Sequence, residues 1–138
     1  MTKTERAYLA GLIDGEGTIT LTRNSKSQHP QPQVSIANNN LRILKWVRSK
    51  MGMGSLLTKM PKKATHNVAY TWQVNRAGGS FKVLRAVYPY LRVKKRQAAI
   101  ILNEYPRVTP RNGKYDPKTL AQKFRLVRKI QSLNSRQI

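Results

Sequence analysis

The chain holds 5 acidic residues against 27 lysines and arginines, and two of those five, Asp14 and Glu16, are separated only by Gly15. An acid in so basic a chain asks for a reason, because a formal net charge of +22 concentrates polyanions around the protein. A carboxylate set beside a phosphate is repulsive unless a cation lies between them. Glu16 and the backbone carbonyl of Gly15 together offer the oxygen donors that a hard octahedral ion such as magnesium prefers. That carbonyl is expected just past a helix C-terminus, where partial negative charge accumulates. Asp14 can accept hydrogen bonds from backbone N–H groups near the same helix end. A second concentration of charge, Arg92, Lys94, Lys95 and Arg96, can contact phosphate or form a solvated basic helix start.

The rest of the composition narrows the partner. A merely solubilising surface normally mixes both signs of charge, so a nucleic acid is the expected partner. No apolar run approaches the roughly 20 residues of a spanning helix. Met1 to Ala10 does not read as a signal peptide, and a membrane is not expected as a partner. No cysteine is present, which removes disulfides and cysteine-based zinc sites. This suits a reducing compartment, whether an organelle (chloroplast or mitochondrion) or a prokaryotic cytoplasm. His29 and His66 are far apart in expected loop tips and make no ligand pair, and no small-molecule substrate is expected. A length of 138 residues suits one domain, 1–138.

The elements that must position these residues read as follows. A first helix is expected from about Thr4, its N-cap, to Asp14, with Gly15 ending it. Alternation at Thr18-Ile19-Thr20-Leu21-Thr22 and at Gln33-Val34-Ser35-Ile36-Ala37 predicts two strands. They are joined by a polar connection from Asn24 to Pro32. Asn40 caps a second helix carrying Leu41, Leu44, Val47 and Met51, which Gly52 and Gly54 stop. Ser55–Lys59 and Val68–Asn75 predict another strand pair, with a basic tip at residues 61–67. A third helix runs through Phe81, Leu84 and Val87 and ends before Pro89. A fourth runs from about Lys94 to Tyr105, where Pro106 ends it. Asp116-Pro117 starts a last helix with Leu120, Phe124, Val127 and Ile130 on its apolar stripe and Lys123, Arg125, Arg128 and Lys129 elsewhere. Trp46 and Trp72 fall on apolar stripes and read as core.

The order α-β-β-α-β-β-α plus two helices predicts an α+β domain, one antiparallel sheet with its helices on a single face. The open face then presents Thr18, Thr20, Thr22, Asn24, Gln31, Gln33, Ser35, Ser55, Lys59, Thr71 and Gln73. Hydroxyls and amides of this kind can bond base edges in a major groove that admits a β-ribbon. On the first helix, Ala7, Ala10, Gly11 and Asp14 share one face, and three of the four are small. A stripe of that kind permits a close helix crossing. Either another helix of the chain or a second copy can fill it. Tyr8, Leu9, Leu12 and Ile13 are expected to pack into the chain's own core.

Residues 9–17, Leu-Ala-Gly-Leu-Ile-Asp-Gly-Glu-Gly, resemble the motif of the LAGLIDADG homing endonucleases, with Gly for the second Ala and Glu for the second Asp. Tyr90-Leu91-Arg92-Val93-Lys94-Lys95-Arg96-Gln97-Ala98 is similar to the active-site segment of the single-motif algal chloroplast enzymes of that family. The resemblance implies a homodimer with paired motif helices and a sheet saddle on a long, roughly palindromic double-stranded DNA site. It further implies metal-dependent cleavage of both strands, with short 3′ overhangs. Magnesium is the implied cofactor, with manganese as a substitute, and Glu16 and Gly15 its ligands. Glu16 becomes the catalytic acid and Lys94 the basic helper. Asn38 takes the place of a water-ordering glutamine, Arg42 that of a second basic residue, and Asp14 a structural and supporting role. Two other readings remain: a maturase of the same fold that binds intron RNA, and a non-catalytic basic binding protein. The acid at position 16 favours cleavage.

Overall fold

The computed structural model describes residues 1–23, 25, 28–59 and 68–135. Asn24, His66 and the basic tip at residues 61–67 therefore lie outside the described residues. Helix α1 (Lys3–Glu16) leads into strands β1 (Gly17–Thr22) and β2 (Gln31–Asn38). Helix α2 (Leu41–Met51), strands β3 (Ser55–Lys59) and β4 (Ala69–Asn75), and helix α3 (Ala77–Val87) follow. Helix α4 (Lys95–Ala99) widens into a π turn over Ile100–Glu104 and tightens into a 3₁₀ turn over Tyr105–Val108. Helix α5 (Pro117–Ser135) follows.

The four strands form one antiparallel sheet in the order β1-β2-β4-β3. Its inner face carries Ile19, Leu21, Val34, Ile36, Trp72 and Val74, all buried under the helices. Leu9 and Ile13 of α1, Leu44 and Val47 of α2, Leu84 and Val87 of α3 and Ile130 of α5 complete that core. The expected α+β architecture is the observed one. No helix among the described residues is long and apolar enough to cross a membrane.

Several local expectations need correction. The N-cap of α1 is Thr2, two residues before the expected Thr4. Thr2 and Glu5 form a reciprocal capping box, the Thr2 hydroxyl accepting from the Glu5 N–H and the Glu5 carboxylate from the Thr2 N–H. The helix does not stop at Gly15 either: it continues through Glu16, and Gly17 begins the strand. A Cβ at Gly17 would fall 2.7 Å from the Ile13 Cα and 3.0 Å from the Ser35 carbonyl oxygen. Only glycine permits so direct a passage from helix to sheet, and that passage seats Glu16 at the sheet's edge. On α1, Ala10 is fully buried while Tyr8 is 53% exposed. The uncovered stripe is thus Ala7, Gly11 and Gly15, flanked by Tyr8, and does not include Ala10. On α5 the buried positions are Lys123, Leu126 and Ile130, so Lys123 lies inside the apolar stripe that was expected to exclude it. Trp72 is core, its indole N–H donating to the Met53 carbonyl at 3.0 Å, but Trp46 is half-buried and meets Tyr8 edge-to-face at 5.3 Å.

Candidate functional site

Glu16 is the last residue of α1, and its side chain is exposed. The Asn38 side-chain amide, at the end of β2, donates to the Glu16 carboxylate. The other end of that amide accepts from the Asn40 N–H at 2.8 Å, and the Asn40 side chain in turn accepts from the Ile43 N–H at 3.3 Å as the cap of α2. A line of hydrogen bonds therefore runs from the first turn of α2 to one oxygen of Glu16 and fixes which way that carboxylate faces.

Asp14, two residues back along α1, is engaged from a segment far along the sequence. Its carboxylate accepts three successive backbone N–H groups, from Arg92 at 2.8 Å, Val93 at 3.2 Å and Lys94 at 3.0 Å. All three lie just before α4, so the carboxylate ties the entry of that helix to the end of α1. The Lys94 ammonium returns a bond of 2.8 Å to the Asp14 carbonyl. Lys94 is buried, and burial pushes its ammonium below the usual lysine range, while the Asp14 charge pulls it back up. The end of the motif helix thus holds a buried lysine on its carbonyl and an exposed carboxylate two residues further on.

Arg42 is exposed in the first turn of α2 and makes no hydrogen bond to Glu16 or Asn38. It lines instead a groove between α1 and α2 with Thr4, Glu5, Tyr8, Asn40, Ile43 and Trp46. The structure brings Glu16, Asn38, Asp14 and Lys94 together and leaves Arg42 outside the cluster.

No group of three or more histidine, cysteine, aspartate or glutamate side chains is gathered among the described residues. One chain offers the Glu16 carboxylate and the carbonyls of the last helical turn, Gly15 included. This donor set is all oxygen and fits a hard divalent cation in type, though not in number, so the remaining ligands must come from outside the chain.

Strand register sorts the sheet. Thr18 faces Ser35, Thr20 faces Gln33 and Thr22 faces Gln31. Ser35 also faces Gln73, and Gln73 faces Ser55. Cross-strand partners point to the same side, so Thr18, Thr20, Thr22, Gln31, Gln33, Ser35, Ser55, Lys59, Thr71 and Gln73 share the outer face, and none of them is buried. The Gln33 amide donates to the Gln73 side chain at 3.2 Å, a polar contact made above the sheet. Two residues at the same end escaped the sequence reading. Asn75 continues the alternation of Thr71 and Gln73 and was within reach of it. Arg76 was not, because its place depends on a backbone angle that no periodicity reveals.

The free stripe of α1 is open: a Cβ built at Gly11 or Gly15 meets nothing within 4 Å. Beside it lies the Tyr8–Trp46 groove, with a volume of about 530 Å³.

Among curated proteins no sequence matches the chain. Solved structures match by fold. The homing endonuclease I-CvuI, in complex with its target in the presence of calcium, superposes with a TM-score of 0.77 at 20% identity, covering 95% of this chain and 82% of that one. The archaeal intron-encoded homing endonuclease I-Vdi141I, complexed with DNA, gives 0.69 at 17% identity over 94% of this chain and 84% of that one. The homing endonuclease I-TnaI gives 0.66 at 13% identity over 96% and 97%. These likenesses show a shared fold. A family model described as a LAGLIDADG-like domain matches residues 3–103, and the chain belongs to that family.

Proposed function

We propose that two copies of this chain form a site-specific DNA endonuclease of the homing type, hydrolysing both strands of a long, roughly palindromic site and leaving short 3′ overhangs. One observation carries the reading. The helix that ends in an exposed carboxylate (Glu16) and anchors a buried lysine (Lys94) runs without a break into a sheet whose open face is mostly hydroxyls and amides. The net charge of +22 supplies the attraction to the DNA backbone.

Each residue then has a task. The outer face reads base edges, and the lysines and arginines around it neutralise phosphates. Glu16, oriented by Asn38, and the Gly15 carbonyl would hold magnesium, which when bound supplies charge neutralisation and an acidified water. I-CvuI has been crystallised on DNA with calcium and with magnesium, which accords with a divalent ion in this fold. Lys94 stabilises the negative charge that grows on the phosphorus-bound oxygens. Asp14 positions Lys94 and the chain entering α4. Because one chain brings one exposed acid to the end of the motif helix, cutting two strands asks for two chains, and the open stripe of Ala7, Gly11 and Gly15 is where a second α1 can approach closely.

The test is a plasmid library with a randomised insert, incubated with the protein and magnesium, followed by sequencing of the cut ends. A recurring site with short 3′ overhangs supports the reading. Intact plasmids, or ends scattered without a common site, would refute it.

A further inference from the structure

We infer that Asn75 and Arg76 form a two-residue reading unit at the end of the outer face, with Asn75 taking an adenine edge and Arg76 the neighbouring phosphate; this rests on the reading of that face as the DNA surface. The unit lines a pocket of about 210 Å³ with Thr22, Gln28, Gln31 and Gln33, where the ends of β1, β2 and β4 meet.

Two independent features set this pocket apart from the rest of the sheet. The first is a backbone outlier. Arg76 has φ 103 and ψ 148, and it is the one non-glycine residue with positive φ among those described. Glycine adopts that region freely, whereas a residue with a side chain is strained in it. The strain is held in place by a closed set of bonds. The Arg76 N–H donates to the Pro32 carbonyl at 3.1 Å, and the Arg76 carbonyl accepts from the Ser80 N–H at 3.1 Å. The buried Ser80 hydroxyl is within 3.0 Å of the Pro32 carbonyl and 3.2 Å of the Val74 carbonyl.

The geometry has a consequence for side-chain direction. In a regular strand, successive side chains point to opposite faces. Asn75 pairs with Gln33 and so belongs to the outer face, and a regular residue 76 would point into the helical layer. The left-handed φ turns Arg76 back, so that two neighbouring residues line one pocket. An arginine where glycine would be relaxed brings a guanidinium to this pocket.

The second feature is an unspent hydrogen-bonding group. The Asn75 side-chain oxygen is buried and has no hydrogen-bond partner, although the residue as a whole is half-exposed. Such a group is unfavourable until a donor reaches it. A turn of the amide toward the pocket presents an acceptor and a donor side by side, the pair that matches adenine N6 and N7. Arg76 is exposed at the rim, open to a phosphate of DNA laid on this face.

Duplex DNA with a randomised stretch, selected for binding by the full-length protein and by two variants, tests the unit. Wild-type protein should enrich a site with an A·T preference at one position of each half. Asn75→Ala should flatten that position alone, lowering its discrimination about 5- to 100-fold. Arg76→Gly should keep or raise the melting temperature, because strain is released. It should also weaken binding at every site equally and reduce the slope of log K against log salt by about 1.8, one phosphate contact being lost in each half. An Asn75→Ala profile identical to wild type, or an Arg76→Gly protein with unchanged affinity and salt slope, overturns this inference and leaves the endonuclease reading standing. Failure of the wild-type protein to enrich any sequence overturns both.

Discussion

Asp14 and Lys94, 80 residues apart in sequence, bind each other twice: the Lys94 N–H reaches the Asp14 carboxylate at 3.0 Å, and the Lys94 ammonium reaches the Asp14 carbonyl at 2.8 Å. The motif helix and the basic segment before α4 are therefore one unit. Asp14→Asn leaves a single acceptor oxygen where three N–H groups converge, and turns an NH₂ group toward them. Loss of about 1–3 kcal/mol of stability is expected, as for charged hydrogen bonds, read as a lowered midpoint in urea unfolding. An unchanged midpoint would mean that the carboxylate does not tie the two segments.

Lys94→Met should preserve much of the fold, since the side chain is buried and its stem is apolar. The rate of DNA cleavage should fall about 100- to 1000-fold, the magnitude typical of a lost transition-state donor. Binding measured by fluorescence anisotropy should change little. Equal losses in binding and rate would assign Lys94 to phosphate anchoring.

Gly11→Leu adds a bulky side chain where the isolated chain has open space. The monomer should fold as before, and the molecular mass by light scattering should drop from a dimer to a monomer. A mass that does not change would place the partner elsewhere than on the Ala7, Gly11 and Gly15 stripe.

Lys123 is buried with its ammonium 4.6 Å from the ring centre of Tyr105 and 4.8 Å from that of Tyr115. The Thr109 hydroxyl, at 3.3 Å, and the Tyr115 hydroxyl share its polar surroundings, and no carboxylate among the described residues pairs with it. Burial pushes its amine from 10.5 down to about 8. The unfolded chain therefore binds the extra proton between those two values, and stability rises with pH there, by at most about 1.4 kcal/mol per pH unit. Below pH 8 the burdened, charged form persists. Thermal melts at about pH 8 and pH 9.5, a range below the titration of the two tyrosines, which burial raises, should show this rise in wild type. Lys123→Met should lose the part of the rise due to this amine, and parallel curves for the two proteins would contradict it.

Much of this architecture was legible in the sequence because its signals are local. Two-residue alternation marks β1, β2 and β4, Asn40 marks a cap, and the Leu9–Gly17 run marks a motif. What escaped depends on tertiary neighbours. Thr2 outranks Thr4 as the cap because Glu5 answers it three residues on. Gly15 stays helical because Gly17, two residues further on, makes the close approach to the sheet. Ala10 faces inward because Leu9 and Ile13 set the rotation of α1, which leaves Tyr8 outside. Lys123 is buried because aromatic rings, rather than an acid, receive it. Within the site, the meeting of Asn38 with Glu16 joins β2 to α1, and a basic run at residues 92–96 does not by itself say which lysine turns inward.

The central claim is that Glu16 is the acid on which cleavage depends, and Glu16→Gln tests it most directly, because the amide keeps the shape and removes the charge. Gel-shift and cleavage assays on one target duplex should show binding close to wild type, with magnesium-dependent double-strand cutting abolished. Cutting at or near the wild-type rate by the variant would contradict the account.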